Sequence, residues 1–325
     1  MATESDADRY TGRRVLVTGG SGFLGLNLLS ALQRLSAKPR VLSRSPLPRS
    51  AAFAAVEQFT GDLRDEPLVQ DAVRGCAVVF NLAAHSGSAS SNVEPFVDLD
   101  TNLRGQLTLL EACRRLDPPP VVVYASSRLV YRPTEQLPVD ESALTGPLSL
   151  YGIHKLAAEN YHLLYRHLYG LKAVVLRITN PYGYSPRPPE SRYSIINWFI
   201  HLALQGKVLP IYGEGRQLRD YIHVDDVTRA FLDAGSNPGA DGAILNVGSG
   251  IGLSFTQMVE AVVAAAGSGV PRHVPWPPDA ARVETGSFVA DIARIEKALR
   301  WRPSIQFETG LVQVVRQYRE MEQVT

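Results

Sequence analysis

The chain predicts an α/β fold, a doubly wound parallel sheet with a smaller lobe toward its C-terminus, and three observations carry that prediction. Near-continuous apolar runs at residues 76–84, 121–126 and 173–178 suit strands covered on both faces. Amphipathic stretches at residues 102–116 and 151–169 lie between them, so strands and helices alternate. The first strand leads at once into a glycine-rich turn and then an apolar helix.

In chain order, Arg14-Val15-Leu16-Val17 reads as a short buried strand. Thr18-Gly19-Gly20-Ser21-Gly22-Phe23-Leu24-Gly25 follows, then a helix through Leu28, Leu29, Leu32 and Leu35. Glycines let such a turn bring helix N-terminal N–H groups against a pyrophosphate, where the helix dipole favours negative charge. A dinucleotide site on a Rossmann-type sheet is therefore expected here. Further strands follow at Arg40-Val41-Leu42 and Val56-Glu57-Gln58-Phe59, the second leading into Gly61-Asp62-Leu63, with a proline-rich loop at Pro46 and Pro48 between them. A late strand is expected at residues 243–248.

The pattern changes near Asn180. Pro181, Pro186, Pro188 and Pro189 mark an irregular loop, Ile195–Leu204 a helix, and Val208–Tyr212 a strand whose Pro210 suits a sheet edge. Pro271, Pro275, Pro277 and Pro278 precede a closing amphipathic helix. The expected organisation is a disordered tail over 1–12 and a dinucleotide-binding domain over 13–180, joined by 221–248. Residues 181–325 form mainly a substrate lobe over the carboxyl ends of the strands, where ligands of open α/β sheets bind.

Composition restricts the function classes. The 325 residues are 45% hydrophobic and carry 33 basic against 32 acidic side chains, a net charge of +1 with no dense basic run, which argues against nucleic acid as a partner. No stretch approaches the roughly 18 apolar residues of a membrane span, and the polar first dozen residues contain no secretory apolar region. Two cysteines, Cys76 on an expected buried strand and Cys113 on an expected helix, argue against a disulfide framework and suit a reducing cytoplasm. His85 and His223 lack metal-ligand spacing, so no metal is expected.

The chemistry is concentrated in Tyr151-Gly-Ile-His-Lys155, with Ser126-Ser127 upstream. Residues four apart share a helix face, so Tyr151 and Lys155 can meet, while His154 points elsewhere. A free phenol titrates near 10 and is a poor base at neutral pH unless positive charge lies close by, which Lys155 and an oxidised nicotinamide would supply. Tyr151 could then take a hydroxyl proton as hydride leaves the same carbon, with Ser127 bonding the reacting oxygen.

Taken together, the Gly19/Gly22/Gly25 loop, Asp62-Leu63, Asn81-Leu82-Ala83-Ala84, Asn102 to Gly105, Ser126-Ser127, Tyr151/Lys155, Arg177 to Gly183 and Arg219 to Asp226 resemble the extended short-chain dehydrogenase/reductases. Within that superfamily the likeness is to the NAD(P)-dependent nucleotide-sugar epimerases and dehydratases. The resemblance implies catalysis by Ser127, Tyr151 and Lys155. It implies a cofactor site of Gly19, Gly22, Phe23, Leu24, Gly25, Ser43, Arg44, Asp62, Leu63, Leu82, Ala83, Ala84, Asn102, Tyr151, Lys155 and Ile178. For the nucleotide-diphosphate sugar it implies Ser127, with Asn180 and Asn246 on the diphosphate, Arg219 on the diphosphate or ribose, and Ile211 and Tyr212 flanking the base. Arg282 is a candidate second phosphate ligand, although its spacing to Ala290-Asp291 is one residue shorter than the family pattern. Asp220, Asp225 and Asp226 are expected to cap a helix beginning near Val227 rather than touch substrate. A homodimer through the helices at 102–116 and 151–169 also follows from the resemblance.

Two departures narrow the expectation. Where related dehydratases carry Thr-Asp-Glu, this chain has Ser127-Arg128-Leu129, which lacks the acid and base that elimination needs. Where an acidic residue would bind the adenosine ribose, it has Ser43-Arg44-Ser45. Arginine suits a 2′-phosphate, which favours NADP over NAD. The expected activity is a nucleotide-sugar epimerase that transiently oxidises a ring hydroxyl, at C4. The alternatives are an NADPH-dependent nucleotide-sugar 4-ketoreductase and a non-catalytic dinucleotide sensor.

Overall fold

The computed structural model of the protein describes residues 9–186 and 194–322. Pro188 and Pro189, expected in an irregular loop, lie outside the described residues, as do residues 1–8.

The first half alternates as expected: β1 (Arg14–Thr18), α1 (Phe23–Arg34), β2 (Lys38–Ser43), β3 (Glu57–Thr60), α2 (Glu66–Val73) and β4 (Val78–Asn81). Two short helices, α3 (Ser88–Val93) and α4 (Pro95–Leu99), precede α5 (Gly105–Arg114), β5 (Val121–Ser127), α6 (Leu150–Tyr169) and β6 (Ala173–Ile178). A π-helical turn at Asp100–Arg104 runs directly into α5, so the single helix expected over 102–116 has a wider first turn. The second half contains β7 (Asn180–Tyr182), α7 (Ile195–Leu204), β8 (Val208–Tyr212), β9 (Leu218–His223), α8 (Val224–Ser236), β10 (Ile244–Val247) and β11 (Gly252–Ser254). It closes with α9 (Phe255–Ala266), β12 (Val270–Val274), α10 (Pro278–Arg282), α11 (Ala293–Leu299) and α12 (Phe307–Glu322).

Seven strands form one sheet in the order β10-β6-β5-β4-β1-β2-β3, all pairs parallel. The chain winds outward in opposite directions from β1 and β4, leaving a crevice at their carboxyl ends. Both faces are covered. Leu28, Leu29 and Leu32 of α1 pack with Phe80 and Phe231 on one face, and Val69, Leu109 and Cys113 with Leu16 and Val79 on the other. That double burial is why β4 shows no polar alternation.

A separate core joins Phe199 and Ile200 of α7 to Met258 and Val262 of α9 and Leu311 and Val314 of α12. It lies beside a three-stranded sheet ordered β11-β9-β7 and a parallel pair of β8 with β12, the latter consistent with Pro210 on an edge.

The tail expected over 1–12 is corrected for its described residues, 9–12, because Tyr10 is buried in the main core and donates a 2.6 Å hydrogen bond to the Leu232 carbonyl. Ile295, Leu299 and Trp301 return to the same core from late in the chain. The cap of α8 also differs from expectation. The helix begins at Val224, and the His223 imidazole accepts from the Asp225 N–H. Asp226 instead accepts the backbone N–H groups of Ser304 and Ile305 at 3.0 Å, and Asp220 those of Ser249, Gly250 and Ala290. Both aspartates therefore anchor loops that cross from distant parts of the chain.

Candidate active site

A cleft of about 750 Å³ opens at the carboxyl ends of the central strands. Its first wall is the turn between β1 and α1. Gly19 has φ +66°, a left-handed conformation, and a Cβ there would lie 2.9 Å from the Ala83 Cα. A Cβ on Gly25 would lie 2.5 Å from the Gly20 Cα. Glycine at these positions lets the turn close against the segment after β4 and against itself.

The N-terminus of α1 has neither a side-chain cap at Gly22 nor an acidic residue in its first turn. Its leading N–H groups therefore face the cleft with a positive dipole end and no competing carboxylate, an arrangement that fits a pyrophosphate. Ser43 and Arg44 after β2, and Asp62 and Leu63 after β3, form the adjoining wall. The Asp62 carboxyl is held below its ordinary range, first by its hydrogen bond with Arg64, at 2.8 Å, and to a smaller degree by Arg44. These residues fit a dinucleotide.

Every expected cofactor residue except Asn102 lines this cleft. Asn102 is buried with its amide bonded to both the N–H and the C=O of His85, at 3.0 and 2.9 Å. It holds the strand-end loop and does not reach the cleft wall.

Ser127, Tyr151 and Lys155 meet in the same cleft. The local reason is straightforward: Ser127 ends β5, and Ser149 caps α6 by accepting from the Gly152 N–H, which starts the helix one residue before Tyr151. Ser126 points away, donating to the Glu159 carboxylate, which is also paired with Arg177 at 2.7 Å. Lys155 donates a 2.7 Å hydrogen bond to the Ala125 carbonyl, and its Nζ lies 5.6 Å from the Tyr151 ring centre.

Lys155 alone does not pull the Tyr151 phenol down. Burial holds the phenol above its usual value, Asp98 adds to the rise, and the Ser127 hydrogen bond opposes it. Burial lowers Lys155 to about 8, against the pull of Asp98 and Glu159.

Asp98 was not found from the sequence. It is fully buried between His154 and His85, with Nδ1 of each at 2.6 and 3.3 Å from its oxygens. One carboxylate on the five-residue helix α4 carries no recognisable spacing, so only packing reveals it.

Of the substrate residues, Ser127 and Asn180 line the cleft, and the others do not. Asn246 requires correction: its side chain accepts from the Tyr131 hydroxyl at 2.6 Å and donates to the Val139 and Asp291 carbonyls, leaving no amide hydrogen for a diphosphate. Ile211 is likewise corrected, since it is buried in the second core and cannot flank a base. Tyr212 packs 5.3 Å from the Trp276 ring. Arg219 is paired with Glu284 and the Gly286 carbonyl. Arg282 is exposed and lies 3.6 Å from Asp279.

A parallel sheet wound from a glycine-rich turn, with an uncapped helix end facing a serine, tyrosine and lysine, defines a dinucleotide-dependent enzyme of the Rossmann class. Residues 15–248 match the NAD dependent epimerase/dehydratase family, and the chain belongs to that family. It is 30% identical to a UDP-glucose 4-epimerase of Mycolicibacterium smegmatis over 95% of this chain and 100% of that protein. It is also 30% identical to a dTDP-glucose 4,6-dehydratase of Streptomyces niveus, over 94% and 93% of the two chains. The crystal structure of a Thermus thermophilus UDP-glucose 4-epimerase in complex with NAD superimposes with a TM-score of 0.85 at 31% identity, covering 94% of this chain and 99% of that one. The dinucleotide in that complex is NAD, so the NADP preference expected from Ser43-Arg44 has no counterpart there. Among the described residues no helix is long and apolar enough to cross a membrane.

Proposed function

We propose that the protein is a nucleotide-sugar 4-epimerase. The observation that carries this reading is the meeting of Tyr151 and Ser127 in the same cleft as the uncapped N-terminus of α1. A nicotinamide dinucleotide, when bound, would supply the hydride acceptor and donor. Ser127 orients the reacting sugar oxygen. As the phenolate that Lys155 and the positive charge of a bound oxidised nicotinamide would favour, Tyr151 takes the hydroxyl proton during oxidation and returns it after the sugar has turned over in the site. Lys155, fixed to the Ala125 carbonyl, places a cation beside the phenol and would hold the nicotinamide ribose.

Dehydration fits less well, because Arg128 and Leu129 stand where an acid and a base would be needed, and the one carboxyl side chain among the described cleft-lining residues, Asp62, lies on the cofactor wall. NAD is the dinucleotide of this reading, with Arg44 on the cleft wall as the residue that would admit NADP. Self-association belongs to the same reading, and α6 exposes Ile153, Leu164 and Leu168 for a second copy.

The test is to purify the protein, identify any co-purifying dinucleotide, and incubate it with UDP- and dTDP-sugars with and without NADPH. Isomerisation without net cofactor consumption supports the epimerase. Stoichiometric NADPH oxidation by a keto sugar would replace it with the ketoreductase.

A further inference from the structure

Lys155 is buried, and among the described residues its ammonium has no carboxylate within ion-pair distance. Two neighbouring residues of β5 stand in that place. The Ala125 carbonyl accepts the 2.7 Å hydrogen bond, and the same Nζ lies over the ring of Tyr124, 4.8 Å from its centre. Strand alternation turns Tyr124 and Ser126 to one face of β5, and Lys155, Glu159 and His162 share the face of α6 that meets it. Ser126 engages Glu159 there, while the His162 imidazole stacks on the Tyr124 ring with centres 4.4 Å apart and planes at 21°.

The surroundings keep this ring fit to receive a cation. Burial holds the Tyr124 phenol above its usual value, so the ring stays neutral with its π density intact. Burial also lowers His162 to about 4, so the stacked imidazole brings no competing charge at neutral pH. Its Nδ1 is engaged by the Ala158 carbonyl at 2.7 Å. The Tyr124 hydroxyl, by contrast, is buried without a hydrogen-bond partner among the described residues, which costs free energy. The contribution of this residue therefore resides in its ring.

We propose that Tyr124 is a positioning residue for the reaction, its ring face holding the Lys155 ammonium charged and beside Tyr151 by a cation–π contact. The proposal rests on the role given to Lys155 above and adds the group that keeps this cation in place where no carboxylate does. A cation–π contact is strong where water is excluded, and here it offsets part of the cost of burying the charge. A carboxylate at the same point would hold the ammonium more tightly, but it would also cancel the positive field that favours the Tyr151 phenolate. An aromatic face attracts the cation and leaves its charge free to act.

The test is a double-mutant cycle in urea on the full-length protein, combining Y124L with K155M at pH 7 and at pH 9.5. At pH 7 the two changes should couple by about tenfold in the folding equilibrium. At pH 9.5 the folded-state Lys155, at about 8, has lost its proton, and the coupling should shrink to within about twofold. Additive effects at pH 7, or equal coupling at both pH values, overturn the proposal, because lost packing is insensitive to the charge of the lysine. If Y124L does not fold, the cycle runs between Y124F and a variant carrying trifluorophenylalanine at position 124, which keeps the ring and weakens its π face. No coupling of that change to K155M then overturns the proposal. Turnover of UDP-glucose is the second readout. Y124F should stay within about twofold of wild type, and the fluorinated variant should lose about fivefold in kcat with KM within about twofold. Lost turnover in Y124F, or full turnover in the fluorinated variant, overturns the positioning role. If wild type turns over no nucleotide sugar, the epimerase reading fails, and the pH-dependent coupling alone decides whether the ring holds the lysine.

Discussion

Asp98 shares a 2.6 Å hydrogen bond with Nδ1 of His154, the residue before Lys155, and its second oxygen lies 3.3 Å from Nδ1 of His85. The same carboxylate raises the pKa of both Tyr151 and Lys155. It therefore ties the start of α6 to the loop after β4 and sets the field around the phenol. Asp98→Asn should cost about 2–4 kcal/mol in urea unfolding, because one buried and one half-buried imidazole lose a carboxylate partner. In the folded variant, the basic limb of the pH–rate profile should move to lower pH. An unmoved limb would show that Asp98 acts on packing alone.

Tyr151→Phe removes the proton carrier while preserving the ring. Turnover should fall by at least ~10²-fold while dinucleotide affinity stays within a few-fold of wild type. Retained turnover would remove Tyr151 from the reaction.

Lys155 offers a test through stability. Its folded-state pKa, about 8, lies below the 10.5 of the unfolded chain because of burial. Below pH 8 both states carry the charge and the folded state bears the full cost of burying it. Between pH 8 and 10.5 the unfolded chain binds the extra proton, so this component makes stability rise with pH. The cost at neutral pH is about 3 kcal/mol. Lys155→Met should therefore lose activity yet be as stable as wild type or more so at pH 7, and should lack that rise in denaturation profiles. A large destabilisation at pH 7 would contradict this.

Glu159 holds Arg177 through a buried bidentate pair and also accepts from Ser126. Glu159→Gln leaves the guanidinium without a counter-charge at 4% side-chain exposure and should cost roughly 3–5 kcal/mol by chemical denaturation. A loss below 1 kcal/mol would mean that the neighbouring Tyr131 ring, 4.7 Å from the guanidinium carbon, is sufficient company.

Gly25→Ala inserts a methyl group 2.5 Å from the Gly20 Cα and 2.6 Å from the Gly19 oxygen, both backbone atoms that cannot step aside cheaply. It should destabilise by about 1–3 kcal/mol and widen the turn, weakening dinucleotide binding more than it slows turnover at saturation. Wild-type affinity measured by fluorescence titration would refute the close-approach argument.

Much of the fold was legible because its signals are local. The apolar runs of β4, β5 and β6 have no polar face, and only a sheet covered on both sides accommodates that. Gly19 and Gly25 are read from a turn a few residues long, and Tyr151 and Lys155 from one helical step. Misplaced residues depended on distant chain. Asn246 looks free for a ligand until Tyr131, Val139 and Asp291 arrive around it. Ile211 sits on a short strand beside a flexible-looking, proline-rich region, yet α7, α9 and α12 bury it. Tyr10 has no local reason to be ordered and is held by Leu232 in the main core.

By itself the sequence determined the parallel sheet, the phosphate-facing glycine turn and the tyrosine–lysine pair, because dihedral freedom and helical or strand periodicity act over a few residues. Tertiary structure alone decided the company these groups keep: Asp98 between two histidines, Asn246 locked in a wall, and Arg219 paired with Glu284. Burial and charge pairing depend on which segments meet in space, and that information is carried by the whole chain folding at once.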